Sequence, residues 1–252
     1  AGGATMAAER SGDSRVLAEA LVRLGICLEL EHPDTAVEHY RRALELYRTL
    51  GDPRGQSHCH NNLGIVFARR GEIAYAEREL TTAITLGRTI SAPDLSGLFT
   101  LNLGVIHLKR GDMDRARELI GESLAQFAAV KNSERQLFAL LNLAHLDREQ
   151  GDVDGAAALY DAVISLAQRI GQDDVEIGAM AGAALVLRAA GRTTEAADRA
   201  AAASARCAAR DDWFQGRELV EALELLAWCD AGRAADALDR YERSMLQAEA
   251  AD

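Results

Sequence analysis

The sequence predicts an all-α fold: an α-α superhelix, or solenoid, of about six helix-turn-helix repeats. Three observations predict it. Six alanines, Ala36, Ala76, Ala116, Ala156, Ala196 and Ala237, stand 40 residues apart four times and then 41. Five residues before each of the last five is a glycine: Gly71, Gly111, Gly151, Gly191 and Gly232. Seven residues before four of those glycines comes a small residue in a recurring context, Asn62-Leu63-Gly64, Asn102-Leu103-Gly104, Asn142-Leu143-Ala144 and Gly182-Ala183-Ala184. A period of this length marks units that stack on their neighbours and share one continuous core.

Residues 1–13 read as a polar, flexible leader, and 14–252 as a single solenoid domain with units near 14–52, 53–92, 93–132, 133–172, 173–211 and 212–252. In the first unit Leu24-Gly25 begins the motif, and His32-Pro33-Asp34 replaces the glycine turn before Ala36 and Tyr40. The second unit is the model for the rest. Asp52 caps a helix with Pro53 at its first position. Apolar and small residues recur at helical spacing through Leu63, Gly64, Val66 and Phe67. Arg69 and Arg70 suit the helix C-terminus, and Gly71 supplies a left-handed stop. Glu72 opens a second helix with Ala76, Leu80, Ala83 and Ile84 on one stripe, which ends near Thr89 before Ser91-Ala92-Pro93-Asp94. The third unit repeats this with Lys109-Arg110-Gly111-Asp112 and Ala116, and the fourth with Gly151-Asp152, Ala156 and Tyr160. The fifth is rich in alanine. The sixth, around Trp228, Gly232, Ala237 and Tyr241, leaves the register of its first helix open. Small residues at fixed places let the two helices of a unit lie close together.

Composition narrows the function classes. A formal charge of -11 disfavours nucleic acid and anionic membrane surfaces, which reward clustered cations. The longest apolar run, Ile177 to Leu187, is too short to span a bilayer. Cys27, Cys59, Cys207 and Cys229 follow no metal or redox spacing and read as buried, reduced thiols in a cytoplasm. Lys109 and Lys131 are the two lysines among 28 basic residues, an arginine bias that points to a bacterial genome of high GC content. The chain begins Ala1-Gly2-Gly3 rather than with methionine, which reads as a part of something longer.

The leucine-glycine pair, the turn glycine, the alanine after it and the aromatic four residues on (Tyr40, Tyr160, Tyr241) resemble the tetratricopeptide repeat family from about Ser14 to the C-terminus. The unit is longer than that family's usual 34 residues. A 40-residue repeat, with Gly51-Asp52-Pro53-Arg54-Gly55 between units, looks like the variety in bacterial signalling and transcription regulators, kinesin light chains and the Leu-Gly-Asn protein. The resemblance implies a cytoplasmic protein- or peptide-binding scaffold. In such relatives, asparagines at the place of Asn62, Asn102 and Asn142 grip a peptide backbone on the concave face. An amide both donates and accepts, so a row of them can hold an extended segment. The plainer alternative is that these amides tie adjacent repeats together.

Four positions before the asparagines lie His58, Leu98 and Phe138, directly before them Asn61, Leu101 and Leu141, and three positions after them Ile65, Val105 and His145. Together they predict an apolar groove over repeats two to four; packing between first helices is the alternative for any single leucine. The resemblance also implies a test for the carboxylate clamp of co-chaperone members. Its positions hold Val22, Ile26, Asn62, Leu98 and Asn102 in one frame, or Asn61, Ile65, Asn102, Phe138 and Asn142 in the next. Every cation is missing, so a chaperone-tail clamp is not expected.

His58-Cys59-His60 lacks the three- or four-residue spacing that metal ligands need on a helix, so no metal is expected. No cofactor is expected either. No Ser-His-Asp signature, phosphate-cradling loop or HExxH occurs, so the reading is not an enzyme. The basic pairs Arg69-Arg70 and Lys109-Arg110 fit an acidic partner, but also fit the ends of helices. Two further readings stay open: a sensor domain for a small effector, and a homodimer formed through the terminal repeats.

Overall fold

A computed structural model of the chain describes residues 13–209 and 217–238, apart from 236. The predicted helices form as pairs. They are α1 (Ser14–Leu28) with α2 (Pro33–Thr49), α3 (Pro53–Arg69) with α4 (Ile73–Thr89), α5 (Pro93–Arg110) with α6 (Met113–Ala129), α7 (Ser133–Gln150) with α8 (Val153–Ile170), α9 (Asp173–Ala189) with α10 (Thr193–Ala208), and α11 (Arg217–Asp230). The leader up to Gly12, Tyr241 and the end of the sixth repeat lie outside the described residues. Asp13, at the end of that leader, caps α1 by accepting from the backbone N–H of Arg15 and Val16.

The punctuation is finer than the sequence period. A residue with positive φ follows helix after helix: Gly51, Gly71, Ser91, Gly111, Lys131, Gly151, Gly171, Gly191 and Gly232. At each, the next residue's N–H reaches back five residues to a carbonyl, as in Asp52 to Tyr47, Ala92 to Gly87 and Asn132 to Phe127. This is the Schellman closure, which satisfies carbonyls that the helix end leaves bare. Aspartates then start several helices. Asp52 and Asp152 each accept from a backbone N–H three residues on, at Gly55 and Gly155.

Contacts group into two units, residues 1–135 and 136–252. In the first, α1 to α6 pack each against the next, and α3 also touches α5. Their core joins Leu21, Ala36, Tyr40, Phe67, Ala76, Leu80, Phe99 and Leu103. In the second unit Ala144, Ala156, Tyr160 and Ile164 form one cluster, and Ala184, Leu187, Ala196, Leu223 and Ala227 another. The recurring alanines Ala36, Ala76, Ala116, Ala156 and Ala196 are fully buried. Among the described residues no helix is long and apolar enough to cross a membrane.

Candidate functional site

A pocket of about 720 Å³ opens in the first unit, between the first helices of repeats two and three. Helix α3 contributes Ile65, Ala68 and Arg69, the start of α4 contributes Ile73, and α5 contributes Asn102, Val105, Ile106, Lys109 and Arg110. The spacing of Ile65, Ala68 and Arg69, and of Asn102, Val105, Ile106 and Lys109, is that of one helical face. The floor is aliphatic and three cations stand at its edge. Arg69 donates to Glu29 at 2.7 Å and Arg110 to Glu77 at 3.3 Å, each carboxylate lying on the preceding repeat. Lys109 is exposed and makes no ion pair among the described residues.

The asparagines are coupled to one another. Asn102 Nδ2 donates to Asn61 Oδ1 at 2.8 Å, and Asn61 Nδ2 donates to Asn62 Oδ1 at 3.1 Å. Asn61 is buried, while Asn62 and Asn102 are partly open. Two amides of the first unit are thus tied between repeats through a third, the structural role that was the alternative to a peptide grip. Asn62 Nδ2 and Asn102 Oδ1 have no hydrogen-bond partner among the described residues. Asn142, in the second unit, donates instead to the carbonyl of Phe138 one turn back on its own helix, at 2.7 Å.

The other predicted groove residues divide. Ile65, Val105 and Asn102 line the pocket. Leu101 is buried, and Leu98 packs on the core of the first unit. In the second unit Leu141 packs on core residues, Phe138 is 57% exposed, and His145 accepts from Arg148 at 2.6 Å. Ala68, Ile73 and Ile106 escaped the sequence reading because it sampled only the positions four before, one before and three after each asparagine, whereas Ile106 stands four after Asn102 and Ala68 and Ile73 lie further along from Asn62. Adding a further helical turn finds Arg69 and Lys109.

His58-Cys59-His60 diverges as adjacent helical residues must. His58 sets its ring edge on Phe99, with centroids 5.8 Å apart, and burial lowers its pKa. Cys59 is fully buried, which pushes its thiol up to about 12; Cys207 is buried too, but Cys27 and Cys229 are exposed, so the expectation of four buried thiols holds for two of them. His60 Nδ1 meets Glu79 Oε2 at 2.7 Å, and this contact holds the Glu79 carboxyl below its ordinary range against the opposing effect of burial.

The tetratricopeptide repeat family model matches residues 16–89 and 98–169, more than half of the sequence, and the chain belongs to that family. Its fold is in general a scaffold for protein interactions. Among solved structures the chain is similar to BtubC from P. vanneervenii, at TM-score 0.73 and 21% identity over 84% of this chain and 90% of that one. It is similar to the signal-transduction ATPase with a tetratricopeptide repeat sensor from Pyrococcus horikoshii, at TM-score 0.74 and 16% identity, covering 93% of this chain and 36% of that one. A Rap protein complexed with Competence and Sporulation Factor gives TM-score 0.62 and 15% identity over 89% of this chain and 66% of that one. No curated protein gives a match.

Proposed function

We propose that this chain is a peptide-binding scaffold and that the pocket of repeats two and three is where it grips its partner. The observation that carries this reading is the coincidence of three features in one place. The pocket is aliphatic at its floor, it is lined by Asn102, whose amide oxygen has no partner among the described residues, and it lies on the helix face that the repeat presents at fixed intervals. Aliphatic side chains of a bound segment would seat on Ile65, Val105 and Ile106, and the amides would meet its backbone. A Rap protein of similar fold is complexed with Competence and Sporulation Factor, and the ATPase uses such repeats as a sensor. Both support a place for this chain in a signalling or regulatory protein.

The test is a selection of displayed peptides on the purified chain, followed by affinity measurement on a Val105→Trp variant whose pocket is filled. Selected peptides should lose at least tenfold in affinity for the variant while its melting temperature stays near that of the parent. Equal affinity would place the binding surface elsewhere. The volume favours a second reading, because about 720 Å³ also suits a small effector. That reading expects thermal stabilisation that grows with the logarithm of the concentration of a metabolite. Association through terminal repeats turns partly on the end of the sixth repeat, outside the described residues.

A further inference from the structure

The charge at the pocket edge runs against the charge of the chain. Acidic residues outnumber basic ones by 39 to 28, yet Arg69, Lys109 and Arg110 converge on this one apolar site, with no carboxylate among its lining residues. The two arginines are ion-paired with Glu29 and Glu77, which partly offsets their charge. Lys109 has no such partner among the described residues. Its ammonium is a flexible point charge with three donors beside an aliphatic floor. A cation left open at the edge of an apolar surface is answered by a ligand that is apolar where it touches the floor and anionic where it passes the edge.

We infer that the pocket selects an acidic segment of another protein, one in which an aliphatic side chain is flanked by carboxylates, and that Lys109 is the residue that reads the negative charge. The inference rests on the pocket being the peptide site. The aliphatic side chain lies on Ile65, Val105 and Ile106. A neighbouring Asp or Glu then meets Lys109, with Arg69 and Arg110 adding a longer-range attraction that their own carboxylates partly offset. The acidic remainder of the surface repels such a segment, which confines it to this site.

The experiment uses three sets of synthetic peptides, each with one central leucine, whose flanking positions are all Glu, all Gln or all Lys. Binding to the full chain is measured at low and at physiological salt, for the parent, Lys109→Glu and Val105→Trp. The Glu set should bind best and weaken as salt rises. Lys109→Glu should weaken the Glu set by about tenfold and leave the Gln set within about twofold, as expected for a charge at an interface edge. If the Glu and Gln sets bind alike and both are lost with Val105→Trp, the pocket is a peptide site but the charge selection is overturned. If no set binds, or none responds to Val105→Trp, the peptide reading of the pocket falls and this inference falls with it.

Discussion

Gly64 lacks a side chain because the paired helix occupies the space. A Cβ there would lie 2.7 Å from Leu80 Cγ and 3.2 Å from the carbonyl oxygen of Ala76. Gly64→Leu should therefore cost about 1–3 kcal/mol in urea denaturation through overpacking, whereas Gly121→Ala, in open space inside α6, should stabilise by about 0.5–1 kcal/mol because glycine gives up more backbone freedom in a helix. The sequence made this position legible through its spacing to Gly71. It did not make Ser91 and Lys131 legible as left-handed residues, although they close helices in the same way as Gly51 and Gly171. The chemistry explains the miss. Glycine advertises a positive φ, whereas serine and lysine adopt one against the steric push of their own Cβ. Ser91→Gly and Lys131→Gly, with φ of 52° and 55°, should each stabilise the fold by about 0.5–1 kcal/mol, read as a raised midpoint in the same denaturation.

At the scale of elements, helices are joined by side-chain contacts that repeat along with the backbone. Asn61 links α3 to α5 by accepting from Asn102, so Asn61→Ala should cost about 1–2 kcal/mol and leave the Asn102 amide donor without its partner. Arginines at the end of the first helix of a repeat, or just after it, reach back to the preceding repeat, Arg69 to Glu29, Arg70 to Asp34 and Arg192 to Asp154. The place of Arg69 and Arg70 at a helix end was readable from sequence; the partners of all three, about 40 residues away, were not, because nothing local specifies them. Carboxylates with lowered pKa make stability depend on pH. Burial raises Asp52, but the N–H of Gly55 and the Arg15 guanidinium outweigh it, and His60 lowers Glu79. Both groups bind protons less readily folded than unfolded, so their stabilisation is complete above the ordinary values of 3.8 and 4.5 and is lost as pH falls through the folded ones. Chemical denaturation between pH 6 and 3 (a range set by those values) should show falling stability, and Glu79→Gln should flatten the curve.

For the molecule as a whole, periodicity carried the fold and stopped short of the site. The repeat of Ala36, Ala76, Ala116, Ala156 and Ala196 placed helix pairs correctly because each alanine is buried against a neighbouring helix. The site was legible in part. Asn102 was found as a member of the asparagine row, and Ile65 and Val105 from their distance to it, while Asn61 turned out to be a tie between repeats. A row of similar residues states where side chains stand and is silent on whether they bond to each other or to a ligand. The central claim is that a peptide binds at the pocket of repeats two and three, and a methyl-labelled NMR titration of the chain with a selected peptide tests it most directly. The account predicts that the methyl signals of Ile65, Val105 and Ile106 shift together and saturably, while those of Ile26 and Ile170 stay in place. Saturable shifts confined to Ile170 and other residues of the second unit, with Ile65 and Ile106 unmoved, would contradict it.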